Sequence, residues 1–266
     1  MVQSKFNFGN IDFPVLALAI HNGHHLPQVL LRYTAISDDD RFREEDPYTG
    51  QLAEHFPNHI IVNTSRFAID LNRKRDKCVY LKPEDAWGLN VRIGELPEAL
   101  YNDLLNSYED WYNTLVYQIE RMLKFHPYII VLDLHSYNHR RNGPDAQPDP
   151  QTDNPDIILG RSNMNKEFYP IVENLRSKLD GKPIWNMKLD VRCDVKFPGG
   201  QLPRFLHEKY PSQLLCLAIE FKKIFMNEWS GKLNPVSLYD IRNLFMDEAE
   251  SWIENTIKDF PFKTMT

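Results

Sequence analysis

The chain has 266 residues, 42% of them apolar and 26% charged, a balance that fits a soluble globular protein with a sizeable core. Its formal net charge of −6, from 31 basic and 37 acidic residues, supplies no basic field to neutralise phosphates and argues against a nucleic-acid partner. Cys78, Cys193 and Cys216 lack metal-ligand or redox spacing, the N-terminus lacks a signal-peptide cleavage pattern, and no apolar stretch approaches membrane length, so a reducing, cytoplasmic setting without a membrane partner is expected.

In chain order, the first clear element is VLALAI, Val15 to Ile20, a continuous apolar run of the kind a strand covered on both faces requires. His21 follows it directly in AIHNGHHLP, where Gly23 permits a tight turn. The acid-rich run DDDRFREEDPYTGQL from Asp38 reads as a solvated loop that leads into a helix just after Asp46. HIIVNTS from His59 is the next strand, and Arg66, Asp70, Asn72 and Arg73 cluster behind it in SRFAIDLNR. From Leu96 to Lys124, Leu100, Leu104, Tyr108, Trp111, Leu115 and Ile119 recur every three to four residues, which is one face of a long helix stopped by His126-Pro127. The clearest strand is YIIVLDL, Tyr128 to Leu134, which ends in Asp133, His135 and Ser136.

Residues 138–156 then carry four prolines and almost no apolar side chain. So long a loop reads either as a substrate-binding lid or as a surface excursion. A second helix is expected from Asn165 to Gly181, a weak strand from Pro183, a strong strand from Leu214 to Phe221, and a third helix from Asp240, its cap, to Phe260. Strands alternating with helices predict an α/β layer fold with a largely parallel or mixed sheet. With no repeat and no linker, one domain over residues 1–266 is expected.

The candidate chemistry sits at the strand ends. Side chains there converge in open α/β sheets, so His21 and His135 can meet despite their distance in sequence. Two imidazoles and a carboxylate, with a position left for water, make a hydrolytic zinc site. The carboxylate can come from Glu45 or Asp46, between which spacing does not choose. Asp133, two residues before His135 and on the same face, suits a supporting role. His24, His25, His139 and His207 read as surface or supporting residues. Glu220 ends an apolar strand, where a carboxylate is costly unless paired or used. It is either half of a salt bridge or the base that activates water and passes the proton to a leaving nitrogen. Arg66 and Asp70 can form an internal ion pair, while Asn72 and Arg73 can read an acidic substrate group.

These pieces, in this order, resemble the N-formylglutamate amidohydrolase family. HNGHHLP matches its strand-end histidine element, EEDPYTGQL its acidic segment, SRFAIDLNR its Arg-aromatic…Asp-Leu-Asn-Arg element and DLHS its second histidine element. NPDIILG, FPGG (Phe197 to Gly200) and LAIEFKK complete the series, and the resemblance spans roughly Ile20 to Met226. VLDLHSYN is also similar to the strand-end motif of zinc carboxypeptidases.

The resemblance implies a three-layer α/β sandwich with a mixed, twisted sheet, zinc-carboxypeptidase-like (phosphorylase/hydrolase-like). It implies one Zn2+ per chain on His21, Asp46 and His135, with Glu45 as the alternative acid ligand. It implies Glu220 as general base with Arg66 also catalytic, and Asn72, Arg73, Ser136 and Arg204 as substrate contacts. The implied substrate is a small acidic N-acyl amino acid, with N-formyl-L-glutamate foremost. Two departures stand out. Zinc carboxypeptidases place a glutamate ligand three residues after the first histidine, where this chain has His24. Family members often follow the strand-end glutamate with Ile or Leu, Asn and Arg, where this chain has Phe221, Lys222 and Lys223. A carboxypeptidase-like peptidase, a deacylase of another N-acyl amino acid, and a non-catalytic metal-binding relative are the competing readings. Oligomeric state is not legible.

Overall fold

The computed structural model describes residues 1–259, and the chain divides into two compact units, Met1–His126 and Pro127–Thr266. The first unit holds strands β1 (Ser4–Phe8), β2 (Val15–Ala19) and β3 (Asn58–Val62), short helices α1 (Gln28–Leu31), α2 (Asp38–Glu44) and α3 (Thr49–Ala53), and the long helix α4 (Glu98–Leu123). Every residue of β2 and β3 is buried, as VLALA and NHIIV demand: apolar side chains on both faces leave neither face for water. β3 pairs parallel with β2 and antiparallel with β1, so Ile60 has Leu18 on one side and Phe6 on the other. β1, SKFNF, is a half-buried strand, and its polar alternation hides it from a search for apolar runs.

The acid-rich run is a helix through Glu44 rather than a loop. The Ser37 hydroxyl caps it by accepting from the Asp40 N–H at 3.1 Å. Asp38, Asp39 and Asp40 fill its first turn, where the helix dipole favours negative charge. α4 buries the expected stripe, starting at Leu104 one turn after the half-buried Leu100. Two of its phenols reach past the stripe: Tyr108 donates to the Arg73 carbonyl at 2.8 Å and Tyr112 to the Leu71 carbonyl at 2.6 Å.

The second unit holds β4 (Ile129–Tyr137), β5 (Ile157–Gly160), α5 (Tyr169–Leu179), the two-residue strands β6 (Pro183–Ile184) and β7 (Met187–Lys188), β8 (Val191–Cys193), α6 (Gln201–Lys209), β9 (Leu214–Lys222) and α7 (Pro235–Asp259). β4 and β9 pair in parallel from Ile129 opposite Leu214 to Tyr137 opposite Lys222. β5 runs antiparallel to β9 and parallel to β8. The strand order is β1-β3-β2 in the first unit and β4-β9-β5-β8 in the second, a mixed arrangement in each, and β6 and β7 form a separate hairpin. The weak strand expected from Pro183 is that hairpin, turned at Trp185 with φ 50°.

α7 begins before the expected cap Asp240. Asn234 accepts from the Ser237 N–H at 3.2 Å, and Pro235 takes the first helical position, where its missing N–H costs nothing. Asp240 lies inside the helix and accepts from the Trp185 indole at 2.8 Å. Phe260, the expected last residue, lies outside the described residues. No described helix is long and apolar enough to cross a membrane.

Candidate metal centre and active site

In the first unit the chain leaves β2 at His21, and each residue of the next turn has a task. Gly23 runs against Asn63, where a Cβ would lie 2.2 Å from the Asn63 carbonyl carbon, so only glycine fits. Asn22 accepts from the Gly50 N–H at 2.8 Å at the start of α3. The Asp46 N–H donates to the His21 carbonyl at 2.9 Å, and Thr49 ties back to the Asp46 carbonyl at 2.7 Å. His21 and Asp46 are thereby fixed as neighbours, with Nδ1 and Oδ2 3.5 Å apart and both residues buried.

Glu45 is also buried, but its oxygens are engaged elsewhere. Oε2 lies 2.6 Å from His24 Nδ1, Oε1 accepts from the Ser65 hydroxyl, and Arg41 Nη1 is 3.5 Å away. His24, standing where carboxypeptidases have a ligand, is thus the partner of Glu45.

Asp70 is the hub of this unit. Fully buried, it takes His21 Nε2 on Oδ1 at 2.8 Å, Arg66 Nη2 on Oδ2 at 2.8 Å, the Tyr80 hydroxyl, and the Asn72 N–H at 2.8 Å. Burial by itself would raise this carboxyl. The Arg66 and His21 charges, with hydrogen bonds from His21 and Tyr80, outweigh burial and hold it well below the usual carboxylate range. With Nε2 engaged by Asp70, the ring nitrogen on the side of Asp46 is Nδ1, the one a metal ion would use. The expected Arg66–Asp70 ion pair is therefore present. Arg73 stands 3.8 Å from Asp70 through Nε and donates to the Asp85 carbonyl at 3.2 Å.

In the second unit, strand alternation puts Asp133, His135 and Tyr137 on one face of β4. Asp133 Oδ1 lies 3.0 Å from His135 Nε2, a charge contact without the hydrogen-bond geometry that joins Asp70 to His21. The parallel register sets Glu220 directly opposite His135 and the small Ala218 opposite Asp133, so Glu220 shares the face of His135 one strand away, about 4.8 Å. Glu220 is half-buried. Ser136 points to the opposite face, and the strand does not bring it beside His135.

His21, Asp46 and His135 are all buried, each offers one ligand atom, and as a group they could hold a metal ion. Two imidazoles and a carboxylate, both rings backed by further carboxylates, are a donor set that could hold a metal ion.

The other singled-out residues have structural partners. Arg204 is exposed and reaches Asn163 Oδ1 at 3.5 Å. Gly160 allows the FPGG segment to pass, since a Cβ there would meet Gly199 N and Phe197 O at 2.8 Å. Lys222 and Lys223 are buried: Lys222 Nζ lies 2.5 Å from Asp156 Oδ1, and Lys223 Nζ donates to Asn138 Oδ1 at 3.0 Å. They anchor both ends of the proline-rich loop, which gives the departure from the family pattern a physical role. His139 pairs with buried Glu228 at 2.6 Å, and His207 is a buried link between α6 and β9 rather than a surface residue. Sequence reasoning noted Asp70 only as a partner of Arg66, because nothing in its neighbourhood reveals contact with His21. It did not single out Tyr80 or Trp87.

The family model for N-formylglutamate amidohydrolase matches residues 13–226. No curated protein matches the chain. Among solved structures, the N-formylglutamate amidohydrolase of Ralstonia eutropha JMP134 is similar with a TM-score of 0.69 and 16% identity, covering 96% of this chain and 98% of that one. The Atu2144 gene product of Agrobacterium tumefaciens is similar with a TM-score of 0.63 and 16% identity, covering 94% and 95%. The two structures share the fold, and the family match takes in every motif from His21 to Glu220: the chain belongs to the N-formylglutamate amidohydrolase family.

Proposed function

We propose that the chain is a single zinc-dependent catalytic domain, cytoplasmic in setting, that hydrolyses N-formyl-L-glutamate to formate and L-glutamate. The observation that carries this reading is the buried donor group His21, Asp46 and His135 in a chain of this family. Zinc held there would polarise the formyl carbonyl and acidify the attacking water. Asp70 holds the His21 ring through Nε2 and leaves Nδ1 for ligation, and Asp133 sets a negative charge beside His135. Glu220, opposite His135, takes the proton of the attacking water on its carboxylate and delivers it to the departing nitrogen as the carbon–nitrogen bond breaks. Arg66, anchored by Asp70, steadies the charge that develops on the carbonyl oxygen. Asn72 and Arg73 hold a substrate carboxylate, and Arg204 offers a further contact.

Protein loaded with zinc should release formate and glutamate from N-formyl-L-glutamate in equal amounts. Glu220→Gln should lower turnover by about 10²–10⁴-fold, the range for positioned proton transfer, with metal content by elemental analysis unchanged. No formate release by the zinc-loaded protein would end the reading. Full turnover by Glu220→Gln would end the assignment of the base.

A further inference from the structure

The one-turn helix Pro83–Ala86 ends at Trp87, whose backbone is left-handed with φ 54° and ψ 27°. A Cβ makes that conformation costly, and glycine is its ordinary occupant. The indole is 54% exposed, so burial does not offset the cost. Trp185 shares the conformation at φ 50°, but its indole donates to Asp240 at 2.8 Å. The contacts of Trp87 are of another kind. Its ring stands 4.9 Å from the Arg66 guanidinium and 6.0 Å from that of Arg73, and it meets the Tyr80 ring edge-on at 6.1 Å. Tyr80 in turn stands 5.5 Å from Arg73.

Two arginines are thus gathered against aromatic faces. Asp70 offsets one of the two positive charges, and the Asp85 carboxylate is turned to the N–H groups of Leu81 and Lys82. An aromatic face holds a guanidinium without consuming its N–H donors, which a carboxylate partner would do. It also excludes water from one side, and that strengthens any charge pair formed on the other.

We propose that Trp87 is a positioning residue for substrate selection: its indole, set against both Arg66 and Arg73, holds and shields Arg73 so that Arg73 binds a substrate carboxylate. This rests on the reading of Arg73 as a carboxylate contact and adds the residue that makes the contact selective. The strained backbone supplies an unusual test. Trp87→Gly removes the ring and relieves the left-handed conformation, so stability and binding should move in opposite directions. Glutarate, a dicarboxylate without a scissile amide, is titrated by calorimetry into the zinc-loaded wild type, Trp87→Gly and Trp87→Phe.

The dissociation constant should rise about 2- to 30-fold in Trp87→Gly, the range of a cation–π contact, with Tm equal or higher. Trp87→Phe should recover part of the loss. In turnover, Trp87→Gly should raise KM for N-formyl-L-glutamate by a larger factor than it lowers kcat, and should affect KM for the α-amide analogue less. Equal glutarate affinity in wild type and Trp87→Gly overturns the proposal, as does a wild type that binds no glutarate. Ring-dependent glutarate binding without hydrolysis would uphold the shield and overturn the amidase reading instead.

Discussion

Glu45 and Asp46 are adjacent acids, both buried, with different partners. Glu45 is held by His24, Ser65 and Arg41, whereas Asp46 faces His21. Composition cannot separate them, because each is a carboxylate in the same run. What separates them is the backbone hydrogen bond from Asp46 to the His21 carbonyl. Asp46→Asn should therefore empty the metal site while leaving the fold near wild type. Glu45→Gln should keep the metal but weaken the contacts to His24 and Ser65 and leave Arg41 only the exposed Asp38 as counter-charge, lowering stability by about 1–3 kcal/mol. Elemental analysis and thermal unfolding of both variants check this, and the opposite pattern would make Glu45 the ligand. His21, His135 and Glu220 were legible because a polar group straight after an apolar strand needs a reason. Asp70 as a hub and the contacts of Trp87 with Arg66 and Arg73 were not, since their partners come from residues apart in sequence.

The Asp70–Arg73 turn is held by an element that contributes nothing else to the chemistry. α4 reaches it with the hydroxyls of Tyr112, on Leu71, and Tyr108, on Arg73. Tyr112→Phe should cost about 1 kcal/mol, one hydrogen bond to a buried carbonyl. Because Leu71 lies between Asp70 and Asn72, the same change should raise KM more than it lowers kcat. Steady-state kinetics alongside unfolding curves check it, and an effect on Tm alone would mean that the turn supports itself. Long elements were legible in the sequence: α4 by its stripe, and β4 and β9 by unbroken apolar runs. β5 and β8 were not, having only four and three residues. α2 was misread because its acids, taken as a solvated loop, suit a helix N-terminus equally well.

For the molecule as a whole, His207 is one of the groups that make stability fall with acid. Nδ1 donates to the Asn163 carbonyl and Nε2 accepts from the Cys216 N–H, both at 2.9 Å. A protonated ring cannot accept, and burial lowers its pKa to about 4. The folded value lies below the unfolded one near 6.5, so the unfolded chain binds the proton first. The contribution is whole above about pH 6.5 and is lost as pH falls toward about 4, by about 3 kcal/mol at most. His207→Gln should be less stable than wild type at pH 7.5 yet show a flatter decline between those limits in urea unfolding. Parallel curves would remove His207 as the cause. The pairing of His135 with Glu220 has a different reach. Their separation is set by the pitch of the hydrogen-bonded ladder, so inserting or replacing surface loops cannot retune it. A slip of one residue between β4 and β9 would send the carboxylate to the far side of the sheet. A slip of two would set Ala218 against His135. Segments such as residues 81–94 and 138–156 can therefore be regrafted with the His135–Glu220 spacing carried along unaltered in the weave of the strands.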